Sequence, residues 1–136
     1  TRLEMVGKSE LFTQSDFVSL NCDLNPSTHH IVDRAELAAM KNTAYLINAA
    51  RGPLVSEEAL ICALREGAIA GAALDVFEIE PLPEDSGLRG LDNSLLAPHN
   101  ANSSPEAYKR VHESTIRNLL EQLTSGPSSQ HSTSNP

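Results

Sequence analysis

Three polar side chains stand where short apolar runs end. Residues 44–47 lead into Asn48-Ala49-Ala50-Arg51, residues 71–74 lead into Asp75, and residues 94–97 lead into Pro98-His99. If these runs are parallel strands, all three side chains lie on one rim of a sheet. That rim is where open α/β sheets bind ligands. A guanidinium is always charged and offers a planar fork of donors to a carboxylate or phosphate. Histidine is the side chain that gives and takes a proton near neutral pH. A neighbouring carboxylate favours its protonated form. The loop after Asp75 carries two more carboxylates, Glu78 and Glu80, the second fixed against Pro81. A cationic clamp, a carboxylate and an imidazole together equip the rim for acid–base chemistry on a polar small molecule.

Other constellations are weaker. Cys22, His29 and His30 are potential metal ligands, but they lack paired-Cys or His-x-x-x-His spacing, and no metal is expected. Ser103 and Ser104 follow His99 without the Gly-x-Ser-x-Gly setting of a hydrolase nucleophile, and suit helix capping better. No Gly-x-Gly-x-x-Gly turn for cradling phosphates occurs.

The elements that must hold the rim are legible in outline. Ser9 is a possible cap for a short helix over residues 10–14, followed by a strand over residues 17–22. Asp33 with Glu36 makes a capping box for a helix to about Lys41. The strand before Arg51 ends in Gly52-Pro53, a turn signal. Ser56 is the expected cap of a helix whose apolar face is Ala59, Leu60, Ala63 and Leu64, and Gly67 stops it. A third strand, a long loop over residues 77–93 and a fourth strand follow. Ser104-Pro105-Glu106 then opens a helix to about Thr124. The alternation implies an α/β fold with a mostly parallel sheet, and the strands are apolar enough to be buried on both faces.

Composition narrows the function classes. A chain of 136 residues with a formal charge of −8 argues against nucleic acid or an anionic membrane as partner, since both call for a basic face. Cys22 and Cys62 have no framework spacing, which fits a reducing, cytoplasmic setting. No apolar run approaches membrane-spanning length. Residues 125–136 are rich in Ser, Pro and Asn and are expected to form a disordered tail.

The longer motifs carry a resemblance. Residues 15–20 (Ser-Asp-Phe-Val-Ser-Leu), Met40-Lys41, residues 47–52 (Ile-Asn-Ala-Ala-Arg-Gly), residues 71–81 (Gly-Ala-Ala-Leu-Asp-Val-Phe-Glu-Ile-Glu-Pro) and Pro98-His99 resemble the D-isomer-specific 2-hydroxyacid dehydrogenases, the phosphoglycerate dehydrogenase-like branch above all. The resemblance spans roughly Leu11 to Leu123. It implies a partial Rossmann-type NAD-binding domain over residues 1–124, with helices on both faces of its sheet. The N-terminal βαβ unit and the substrate domain are expected upstream.

The resemblance also implies roles. Arg51 would hold the substrate carboxylate and carbonyl. Glu80, the glutamate before proline, would pair with His99, the proton donor and acceptor. Asp75 would contact the nicotinamide end of the cofactor. Cys22, Ala49, Ala50, Arg51, His99, Asn100 and Ala101 would line the cofactor too. The implied activity is hydride transfer between NAD, or NADP, and a D-2-hydroxy or 2-oxo acid, in a full-length homodimer. An NAD(H)-responsive corepressor-like scaffold and an inactive truncated remnant are the alternatives. The chain departs from the family pattern at Asp23, where proline is usual, and at Asn100-Ala101-Asn102, where smaller residues are usual.

Overall fold

The computed structural model describes residues 3–101 and 103–125. Four strands form one sheet: β1 (Phe17–Leu20), β2 (Tyr45–Asn48), β3 (Gly71–Leu74) and β4 (Ser94–Leu96). They lie side by side in chain order and every pairing is parallel. Helices α1 (Lys8–Gln14), α2 (Arg34–Ala39) and α3 (Glu57–Glu66) accompany the sheet, and a 3-10 turn (Gly52–Leu54) follows β2. The chain divides into two compact units, residues 1–101 and 102–136, the second containing α4 (Pro105–Ser125). The expected tail was to begin at residue 125, but Ser125 closes α4, and residues 126–136 lie outside the described part.

Local sequence explains most boundaries. Asp33 and Glu36 complete the capping box at the start of α2. Gly67 ends α3 with φ of 66°, a left-handed conformation that costs glycine little. Ser104 accepts a hydrogen bond from the Ala107 N–H at 3.1 Å and caps α4. Within α4, Val111, Ile116, Leu119, Leu120 and Leu123 recur at helical spacing and are all exposed.

Three expectations are corrected. Ser9 does not cap α1, which starts at Lys8, two residues before the expected start, with Gly7 at the cap position. Ser56 makes no side-chain cap at α3. The carboxylate of Glu78 accepts the Glu57 N–H at 3.1 Å and takes its place. β1 stops at Leu20 rather than reaching Cys22. As an edge strand, β1 has β2 as its sole neighbour, and β2 ends at Asn48, directly opposite Leu20.

The core lies between the sheet and its helices. Val18, Leu46 and Ala72 sit in register across β1, β2 and β3, as do Leu20, Asn48 and Leu74. They join Phe12, Leu37, Leu60 and Leu64 from α1, α2 and α3 in one buried cluster, with Asn48 as its polar member at the rim. The opposite face carries Phe17, Tyr45 and Leu95, which are 68%, 45% and 71% exposed. Their apolar character matches strands meant for burial on both faces, and Gly71, Ile47 and Ala73 between them are buried or half-buried. Phe17 and Tyr45 stack on each other there, with ring centroids 5.6 Å apart.

This asymmetry predicts unequal mutational costs. Leu46→Ala removes a fully buried side chain from a central strand. It should lower unfolding stability by about 2–5 kcal/mol. Leu95→Ala, on the open face, should stay within about 0.5 kcal/mol of the parent. Urea denaturation of both variants checks this, and equal losses would mean that the two faces are not as unequal as described.

Candidate active site

Parallel strands in register bring their carboxyl ends onto a common rim, and each end is finished by a different device. At β2 the device is Asn48, 1% exposed. Its Oδ1 accepts the Ala50 N–H at 3.1 Å and its Nδ2 donates to the Arg51 carbonyl at 2.9 Å. A buried amide is costly unless bonded, so these two bonds hold the chain in a tight turn. Ala49 is exposed at its tip, Ala50 is half-buried, and the Arg51 side chain reaches solvent with Nη1 donating to the Ala50 carbonyl at 2.6 Å.

The next residue fixes where that turn sits. A Cβ at Gly52 would lie 1.9 Å from the Phe77 carbonyl oxygen and 2.6 Å from the Glu78 nitrogen. No side chain fits there, so the Arg51 turn lies directly on the backbone of the loop that carries Glu80. The apposition brings the guanidinium near enough for its charge to act on the Glu80 carboxylate.

Glu80 is held from two sides. Its Oε1 accepts the Phe77 N–H at 3.0 Å, and its Oε2 lies 2.8 Å from Nδ1 of His99. The hydrogen bond from His99, then that from Phe77, holds the carboxyl below its ordinary value of 4.5, with burial opposing. The charges of His99 and Arg51 add to the lowering. With Nδ1 facing the carboxylate, Nε2 is the ring nitrogen left for a ligand. Behind the pair opens a mostly apolar cleft of about 290 Å³, walled by Phe77, Pro81, Leu82, Leu96 and Pro98.

His99 itself has φ of 56°, the left-handed region. A non-glycine residue held there costs on the order of 1–3 kcal/mol and marks a functional or strained position. The two residues that follow it donate their N–H groups to Asp75, Asn100 to Oδ1 and Ala101 to Oδ2, each at 2.8 Å. Asp75 is 7% exposed at the end of β3.

Glu78, the other glutamate of the loop, turns away from His99. Its Oε1 lies 2.8 Å from Nε2 of His30 and also caps α3. Its own N–H faces Glu57, whose other oxygen accepts the Ser86 hydroxyl at 3.1 Å. Glu78 therefore ties two loops, the one bearing His30 and its own, to the start of α3. His29 and His30 stack with ring centroids 4.0 Å apart. Among the described residues, no group of three or more His, Cys, Asp or Glu side chains lies close enough to hold a metal.

Arg51, Asp75, Glu80, His99, Asn100 and Ala101 thus meet around the ends of β2, β3 and β4. Cys22 does not join them. It is a free, half-buried thiol past the end of β1, lining a separate pocket of about 360 Å³ with Phe12, Val18, Asn21 and Ile31. Sequence reasoning missed Asn48 as the organiser of the Arg51 turn and treated Gly52 as a turn signal alone. The available clue was an amide closing an apolar run, a buried polar group in need of partners.

This site lies within a chain stretch that has relatives. The sequence profile of the D-isomer specific 2-hydroxyacid dehydrogenase NAD binding domain matches residues 1–101, the whole of the first compact unit. The chain belongs to the D-isomer-specific 2-hydroxyacid dehydrogenase family. A glyoxylate reductase of Thermofilum pendens is 50% identical over 118 residues, which are 87% of this chain and 35% of that protein. The NAD-complexed D-isomer specific 2-hydroxyacid dehydrogenase of Lactobacillus delbrueckii ssp. bulgaricus superposes with a TM-score of 0.76 at 30% identity, over 89% of this chain and 40% of that one. A family member from Xanthobacter autotrophicus, in complex with NADPH and MES, gives 0.71 at 41% identity, over 82% of this chain and 47% of that one. The chain therefore spans about a third of the curated relative's length.

The family's cofactor is a nicotinamide dinucleotide, and the residues present fit part of it. Ala49, exposed, and Ala50, half-buried, carry no bulk beyond a methyl at the β2 turn, which suits close approach of a flat ring to the backbone there. The sequence given holds no phosphate-cradling glycine turn, so the residues present would suit the nicotinamide end of such a cofactor rather than its phosphates.

Two outcomes follow from this geometry. Glu80 titrates below its ordinary value, so its pairing contributes stability above about pH 4.5 and loses it as the pH falls through the lowered midpoint. His99→Ala should raise the Glu80 midpoint towards 4.5, read from its side-chain carboxyl carbon by NMR. An unmoved midpoint would break the proposed pairing. Gly52→Ala should destabilise by about 1–3 kcal/mol or more, since the added methyl meets backbone that cannot rotate away. Urea denaturation measures it, and a neutral result would refute the close apposition of the two loops.

Proposed function

We propose that this chain is the acid–base part of an NAD(P)-dependent oxidoreductase that interconverts a D-2-hydroxy acid and the matching 2-oxo acid, active at its relatives' full length. The observation that carries the reading is the 2.8 Å contact between Glu80 Oε2 and His99 Nδ1, on the rim that also bears Arg51. When bound, the dinucleotide supplies or accepts the hydride. Arg51 binds the substrate carboxylate through its planar fork and polarises the carbonyl, which positions the reacting carbon and steadies negative charge on its oxygen. Protonated His99 donates from Nε2 to that oxygen in reduction, and neutral His99 accepts the hydroxyl proton in oxidation. Glu80 orients the ring and stabilises its charged form. The 50%-identical relative is named a glyoxylate reductase, so glyoxylate is the first substrate to assay. The free thiols of Cys22 and Cys62 support a cytoplasmic setting, and a homodimer belongs to the same reading.

In a polypeptide carrying this chain at the relatives' full length, His99→Ala should lower glyoxylate reduction at least about 100-fold, the usual scale of a lost general acid. Affinity for NADH should stay nearly unchanged. Arg51→Lys keeps the charge and loses the fork, so it should raise KM as well as lower kcat. Steady-state kinetics with NADH titrations test both. A His99→Ala enzyme that retains turnover would end the acid–base assignment.

A further inference from the structure

Asn48 and Asp75 are the two buried polar side chains among the described residues, and each is spent on the backbone of a turn bearing a candidate functional group. Asn48 ties down the Arg51 turn. We propose that Asp75 is the matching positioning residue for His99: by holding the Asn100 and Ala101 amides, it keeps His99 in the left-handed conformation from which its ring meets Glu80. The proposal rests on reading His99 as the proton-transferring group.

The backbone around His99 is anchored twice, both times to β3. On the near side, the Ala97 N–H donates to the Leu74 carbonyl at 2.9 Å. On the far side, the next residue of the chain after Leu74, Asp75, takes the Asn100 and Ala101 N–H groups at 2.8 Å each. Pro98 and His99 span the gap between these anchors, and φ at His99 is 56°. Left-handed backbone relaxes readily unless its surroundings over-determine it. The Asp75 carboxylate does so from the far side.

The chemistry calls for an ionised carboxylate rather than any polar group. Two N–H donors converge on one side chain, and an ionised carboxylate presents an acceptor at both oxygens. Asparagine has the same shape but turns an NH2 towards one of the two donors. Asp75→Asn therefore loses one bond and opposes donor to donor, with little change in volume. The family resemblance implied a different duty for Asp75, contact with the nicotinamide end of the cofactor. The two duties predict different losses.

The test uses the 136-residue chain and the low titration midpoint of Glu80, which depends on His99. In Asp75→Asn, the Glu80 midpoint should rise towards 4.5, as in His99→Ala. Amide exchange at Asn100 and Ala101 should speed up about tenfold, the equivalent of one lost hydrogen bond. If the Glu80 midpoint does not move while Asn100 and Ala101 exchange faster, the amides do not govern His99 and the proposal is overturned. Should Asp75→Asn fail to fold, the unmodified chain decides: its Asn100 and Ala101 amides, both held by the Asp75 carboxylate, should be protected from exchange, and free exchange at both overturns the proposal. At the relatives' full length, Asp75→Asn should lower kcat while leaving the KM for NADH unchanged. Weakened NADH affinity with an unmoved Glu80 midpoint would instead make Asp75 a cofactor contact. If His99→Ala keeps its turnover while Asp75→Asn still shifts the Glu80 midpoint, the acid–base reading fails and the positioning link stands.

Discussion

The arrangement of the rim depends on one contact between backbones, the approach of Gly52 to Phe77 and Glu78. It fuses the turn after β2 to the loop after β3, so Arg51 and Glu80 belong to one rigid crest rather than to two independent loops. Hydrogen bonds within each loop then set the finer geometry. Asn48 closes the first turn, and the Phe77 N–H pins the Glu80 carboxylate. His99 arrives from the third strand end and completes the group. Parallel register supplies the coarse alignment, and a missing Cβ supplies the close one.

The two glutamates of the loop show how position divides labour between identical side chains. They are two residues apart, yet Glu80 faces His99 and Glu78 faces His30 and the first turn of α3. A carboxylate at a helix N-terminus meets an unsatisfied N–H and the positive end of the helix dipole. Glu78 is therefore accounted for by the fold. Glu80 has no such structural post, and its low titration comes from the imidazole and N–H that converge on it.

Sequence reading recovered what local chemistry determines. Apolar runs bounded by Gly, Pro and Asn mark β2, β3 and β4. The Asp33–Glu36 spacing marks the start of α2, and Gly67 marks the end of α3. It failed where a distant residue decides. β1 ends where its neighbour ends, which no property of Asn21 or Cys22 reveals. Ser56 looks like a cap, but a charged acceptor from 22 positions downstream, at Glu78, occupies the post. The left-handed backbone at His99 is equally silent in the sequence, because the residue most at ease there would be glycine. Residue chemistry placed both Glu78 and Glu80 on the loop and could not choose between them. The choice came from the resemblance, whose Glu-Pro motif singled out Glu80.

The stacked pair of Phe17 and Tyr45 and the bare Leu95 bear on how this chain behaves in a tube. Phe17 and Tyr45 form an apolar patch at β1, an edge strand among the described residues, and Leu95 lies exposed on β4 at the other edge, the combination that invites sheets to grow from one molecule to the next. Against that stands a net charge of −8, which keeps like molecules apart only as far as their fields reach. At physiological ionic strength that reach is roughly 8 Å. Colloidal stability of the chain is therefore a contest between a sticky face and a screened charge. Dilute buffer favours dispersion, and added salt tips the balance towards association.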